Sequence, residues 1–69
     1  MDRTPVSSSN VASVGYDSQI MVLEVEFSDG AIYQYFDVPE DDAVGLLNSD
    51  SVGKYLNSNI KGHYRYARI

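Results

Sequence analysis

A chain of 69 residues without cysteine makes one domain at most. It buries only about 60% of the surface its unfolded form exposes, and neither a disulfide nor a thiolate metal site makes up the difference. A net charge of −5 argues against a general affinity for nucleic acid or anionic lipid.

No run approaches the roughly 20 apolar residues that cross a bilayer. The Met1-Asp2-Arg3-Thr4 start lacks the apolar core of a signal peptide, so the protein is expected to stay in the cytoplasm where it is made. The lone His63 excludes a two-histidine zinc motif, and no metal or cofactor is implied. The distribution of charge is informative. All ten acidic residues lie at or before Asp50, whereas Lys54, Lys61, Arg65 and Arg68 follow it and only Arg3 is basic earlier.

Residues 1–10 are polar and Ser-rich and read as a loop or frayed lead-in. Ser7, Ser8 and Ser9 have no base partner in view and make weak nucleophiles. A first strand is expected over Val11 to Tyr16, closed by Gly15 and Asp17-Ser18. Ile20 to Phe27 and Ala31 to Asp37 form the next two, a hairpin around Ser28-Asp29-Gly30.

The register of that hairpin decides what faces inward. A two-residue Asp29-Gly30 loop sets Val25 opposite Gln34 and places an amide among apolar side chains. A three-residue loop, with Gly30 at positive φ, pairs Val25 with Tyr33 and Leu23 with Tyr35. The second arrangement gathers Leu23, Val25, Phe27, Tyr33 and Tyr35 on a core face. It leaves Glu24, Glu26 and Gln34 on a wet face that also carries Val22, Ile32 and Phe36.

Pro39 starts the helical half. Glu40, Asp41 and Asp42 fall in its first turn, where carboxylates meet the positive end of the helix dipole. Ala43, Leu46 and Leu47 form one apolar stripe. Three consecutive helical carboxylates diverge by about 100° each, which opposes a Mg²⁺ or Ca²⁺ cage.

A second helix is expected from a cap within Ser49 to Ser51 to Lys61, with Gly62 ending it. Val52, Tyr55, Leu56 and Ile60 share one arc of that helix. Lys54 and Lys61 lie about 20° apart on the opposite one. Asn59 falls within the apolar arc and is expected to bond a backbone carbonyl or reach solvent, and Gly53 implies close packing against another element. The tail His63-Tyr64-Arg65-Tyr66-Ala67-Arg68-Ile69 alternates aromatic and basic groups, as a fourth strand or an extended arm. The fold class is therefore α+β, a three-stranded or four-stranded antiparallel meander with two C-terminal helices on one face.

Several stretches in this order resemble the KTSC domain. They are Val6-Ser7-Ser8-Ser9-Asn10, Ser13-Val14-Gly15-Tyr16-Asp17, Leu23-Glu24-Val25-Glu26-Phe27 with Gly30, Tyr33-Gln34-Tyr35 followed by Val38-Pro39, and Ser51-Val52-Gly53-Lys54-Tyr55-Leu56-Asn57 running to Ile60 and Tyr64. The resemblance spans essentially the whole chain, as a single domain over 1–69. The family occurs as stand-alone bacterial and phage proteins and at the C-terminus of some lysyl-tRNA synthetases. That attachment implies a tie to RNA by association only. The sequence departs from the family's usual Tyr-Pro-Tyr near the end, with Tyr64-Arg65-Tyr66 in its place.

The expectation is a small non-enzymatic binding module. His63 has no cysteine nearby and no Ser/Asp constellation to work with. One candidate partner is RNA or tRNA, with Lys54, Lys61, Arg65 and Arg68 on phosphates, His63 beside them, and Tyr64 or Tyr66 on bases. The competing assignment for these cations is a solvated basic face paired with the acidic strands. The alternative partner is another protein or a second copy of the chain, docked on Val22, Ile32 and Phe36. A small nucleotide in a cleft lined with Tyr and Arg finds no phosphate-cradling glycine loop in this sequence.

Overall fold

The computed structural model describes residues 1–69. Five antiparallel strands lie in sequential order: β1 (Thr4–Pro5), β2 (Val11–Asp17), β3 (Val22–Phe27), β4 (Ile32–Tyr35) and β5 (Tyr66–Arg68). Two helices, α1 (Glu40–Leu47) and α2 (Val52–Tyr55), lie between β4 and β5 in the chain, and α2 continues into a π-helical turn over Leu56–Ile60. The architecture is α+β as expected, but the sheet has five strands where three or four were expected. The tail pairs with β4. Residues read as a frayed lead-in contribute β1, which pairs Thr4 with Val14 and Pro5 with Ser13.

The central hairpin adopts the three-residue loop. Gly30 sits at φ +94, the Phe27 N–H bonds the Ala31 carbonyl at 2.8 Å, and Leu23 faces Tyr35 while Val25 faces Tyr33. The preceding strand begins later than expected, because Met21 takes a positive φ of 56 in the turn and Ile20 projects into solvent. The core lies between the inner sheet face (Val14, Leu23, Val25, Tyr35) and the helical layer (Ala43, Leu46, Val52, Leu56, Ile60). Leu23, Val25, Leu46 and Ile60 are wholly enclosed. Burying one such side chain is worth about 1.5–3 kcal/mol.

The second helix differs most from expectation. Ser51 caps it by accepting the Lys54 N–H at 3.3 Å, but after Tyr55 the hydrogen bonding widens, and the Lys61 N–H reaches the Leu56 carbonyl at 2.8 Å. A turn widened to i→i+5 rotates less per residue. Ile60 therefore stays in line with Val52 and Leu56, and Asn59 moves off the apolar arc to an exposed position where its amide bonds the Tyr55 carbonyl. Gly62, at φ +80, ends the segment as expected.

The close helix packing assigned to Gly53 belongs to Gly45 instead. A β-carbon at Gly53 meets nothing nearer than Ser8 Oγ at 3.8 Å, whereas one at Gly45 lands on the Tyr55 ring, 2.8 Å from Cζ and closer still to the hydroxyl.

Candidate functional site

The polar outer face of the sheet is drier than its composition implies. Arg3, carried over the sheet by the N-terminal arm, donates from Nη1 to Glu24 Oε2 at 2.6 Å, and Gln34 Nε2 donates to Oε1 at 2.9 Å. Glu24, expected on a wet face, is only 5% exposed. Burial alone raises its carboxyl's pKa, but the hydrogen bonds from Gln34 and Arg3, with the Arg3 charge, hold it below the ordinary value. On the same face Ser13 Oγ donates to Glu26 Oε1 at 2.8 Å. The patch Val22, Ile32 and Phe36 shares this face as the register requires, but Val22 is 8% exposed, which leaves Ile32 and Phe36, each half-buried, as its accessible part.

The C-terminal residues proposed as one binding surface separate into three groups. Tyr64 serves the structure. Its hydroxyl donates to Asp42 Oδ2, Tyr55 donates to Oδ1 of the same carboxylate, and the Tyr64 pKa is pushed up to about 12 by the bond to Asp42 together with burial. Arg65 is held at 2.7 Å by Asp37 and lies 5.8 Å from the Phe36 ring centroid. With exposed His63 it flanks a shallow hollow on the Phe36 side.

Tyr66 and Arg68 turn the other way. Their partners across β4 are Tyr35 and Tyr33, so both project toward the helical layer. There a groove of about 490 Å³ opens between the β3–β4 hairpin, β5 and the π-helical turn, with Phe27, Tyr33, Tyr35, Lys61 and Arg68 among its walls, while Tyr66 borders the hollow beside Phe36. Lys61 Nζ stands 5.1 Å from the centroid of the Phe27 ring. The widened turn explains its presence. It carries Lys61 round from the arc it was expected to share with Lys54, which is exposed on α2.

Tyr33 and Tyr35 do face inward, and Tyr35 is 2% exposed, yet Tyr33 remains half-buried at the groove wall. Tyr66 lies beside both, its centroid 5.7 Å from Tyr33 and 5.9 Å from Tyr35, while 61% of its own surface is exposed. Sequence reasoning missed the groove role of Phe27 and Tyr33, both assigned to the core. The alternation that places them inward was legible, but the helical layer's failure to cover that end was not. Ion pairs join only Arg3 to Glu24 and Arg65 to Asp37, so Lys54, Lys61 and Arg68 have no acidic partner.

The KTSC domain family model matches residues 7–64. The chain belongs to the KTSC domain family. An uncharacterized protein of Stutzerimonas stutzeri is 47% identical over 70 residues, covering 100% of this chain and 99% of its relative. The crystal structure of a KTSC domain protein from Yersinia pestis superposes with a TM-score of 0.94 at 38% identity, across 99% of this chain and 96% of that one. A lysine–tRNA ligase of Nostoc punctiforme is 31% identical over 61 residues, which span 88% of this KTSC domain and 11% of the ligase.

Proposed function

We propose that this KTSC domain is a non-enzymatic module that binds single-stranded RNA, tRNA included, in the cytoplasm. The observation that carries the reading is a groove in which two cations without acidic partners, Lys61 and Arg68, flank aromatic rings. Cations neutralise phosphates and rings stack on bases in proteins that hold single strands. Similarity to a segment of lysine–tRNA ligases adds a tRNA context by association.

Fluorescence titration of labelled single-stranded RNA and of tRNA at low and rising salt tests the reading. Binding that weakens steeply with salt and is reduced in Arg68→Ala is expected. No binding, or binding indifferent to salt, overturns it.

The second reading, a protein-interaction or homo-oligomerisation module, rests on the half-buried Ile32 and Phe36 of the outer sheet face. Light scattering across a concentration series decides it. A mass that rises with concentration in the parent and stays monomeric in Ile32→Glu supports it, and equal masses remove it.

A further inference from the structure

β5 is the last strand of the sheet, and its Tyr66, Ala67 and Arg68 are all exposed. Its outer edge is open. The Phe36 N–H bonds the Arg65 carbonyl and the Ile69 N–H bonds the Ile32 carbonyl, each at 2.9 Å, and Gln34 pairs with Ala67 between them. In an antiparallel ladder only alternate residues exchange backbone bonds with a given neighbour. Arg65, Ala67 and Ile69 therefore address β4, while Tyr66 and Arg68 turn their N–H and C=O groups outward, where no backbone group of the chain bonds them. The opposite edge is blunted. There β1 has two residues, and one of them is Pro5, which has no N–H to offer.

We infer that β5 pairs antiparallel with β5 of a second copy of this chain, about a twofold axis at Ala67. The register follows from the two outward-facing residues. Setting Tyr66 opposite Arg68 of the second copy, and Arg68 opposite its Tyr66, satisfies every outward N–H and C=O of both edges. A register with Arg68 opposite Arg68 sets like charges face to face. One with Tyr66 opposite Tyr66 brings Arg68 only to Tyr64, which lies outside β5.

The side chains agree with the first register. Ala67 falls opposite itself in a non-hydrogen-bonded pair, where Cα atoms approach to about 4.5 Å and a methyl group fits. Tyr66, with 61% of its surface exposed, comes across from a guanidinium that has no carboxylate partner, which suits a cation–π contact. The symmetry repeats that contact at the other end of the pair. The surface is a backbone edge, so the inference is independent of the nucleic-acid reading. It also differs from self-association through Ile32 and Phe36, which lie on the outer face of the sheet.

So short an edge belongs with small, transient interfaces below about 1,200 Å², and a dissociation constant between about 10 μM and about 1 mM is expected. Light scattering and amide hydrogen exchange of the full ¹⁵N-labelled chain at about 20 μM and about 2 mM test it. The mass is expected to approach that of a dimer at the higher concentration. The Tyr66 and Arg68 amides are expected to exchange at least about threefold more slowly there, while those of Ala67 and Ile69, already bonded to β4, change little. Ala67→Lys sets two cations opposite each other at the axis, and Arg68→Pro removes an outward N–H. Both are expected to stay monomeric with parent-like core amide signals, while Ile32→Glu dimerises as the parent does.

A parent that stays monomeric at the higher concentration overturns the inference. So does a rise in mass without slower exchange at Tyr66 and Arg68, or an edge variant of either kind that dimerises as tightly as the parent. Loss of the dimer in Ile32→Glu with Tyr66 and Arg68 exchange unchanged assigns self-association to the outer face instead.

Discussion

Arg3 and Tyr64 each satisfy a carboxylate from far along the chain, and the two contacts give opposite pH signatures. Glu24 is held ionised below its ordinary pKa by Gln34 and Arg3 against the effect of burial. Its contribution is complete above the unfolded value of 4.5 and is lost as pH falls through the lower folded value. Arg3→Ala removes the bond that offsets burial, and it is expected to cost about 1–3 kcal/mol at pH 7. The difference between variant and parent, read from urea midpoints, should shrink toward pH 3. Tyr64 has a folded pKa raised from 10.0 to about 12 by Asp42 and burial. Its contribution is complete below pH 10 and lost as pH rises toward 12, because the unfolded chain releases this proton first. Tyr64→Phe should cost about 1 kcal/mol at pH 8 and flatten the alkaline fall of the urea midpoint.

At the scale of elements, what was legible followed from local rules. Period-two alternation and one glycine settled the central hairpin, and Pro39 with three acidic residues settled the start of α1. Of the edge strands, Tyr66–Arg68 was legible only as one of two alternatives for the tail, and Thr4–Pro5 was not legible at all, because both are too short to show a period and pair with residues distant in sequence. The π-helical turn left one trace, Asn59 on an apolar arc, and that conflict was the signal that regular helical spacing fails there. Lys61 follows the turn, so an unseen change of helical pitch moved one of the candidate site residues. The two helical glycines give a test with opposite signs. Gly45→Ala drives a methyl into the Tyr55 ring and should destabilise by about 1–3 kcal/mol. Gly53→Ala meets only ordinary contacts and should stabilise by about 0.5–1 kcal/mol. Chemical denaturation of both variants checks the pair, and a loss at Gly53 would mean that the lead-in around Ser8 and Asn10 packs more tightly than its 3.8 Å approach allows.

The whole molecule is acidic, with a net charge of −5, so long-range attraction does not bring it to RNA and only local cations can act. The candidate site was half legible in this respect. The sequence located the cations in the tail, but it could not show that Asp37 engages Arg65 beside Phe36 while Arg68, three residues later, points to the opposite face. That division makes a quantitative prediction. With Lys61 and Arg68 contacting phosphates, the logarithm of the association constant for single-stranded RNA should fall with the logarithm of salt at a slope of about −1.4, each contact supplying about −0.7. Arg68→Ala should reduce that slope by about 0.7, while Arg65→Ala, which removes a cation already engaged by Asp37, should leave it unchanged. Equal reductions from the two variants would mean that strand contacts extend round the edge of β5, and a greater effect at Arg65 would move the interface to the Phe36 side of the sheet.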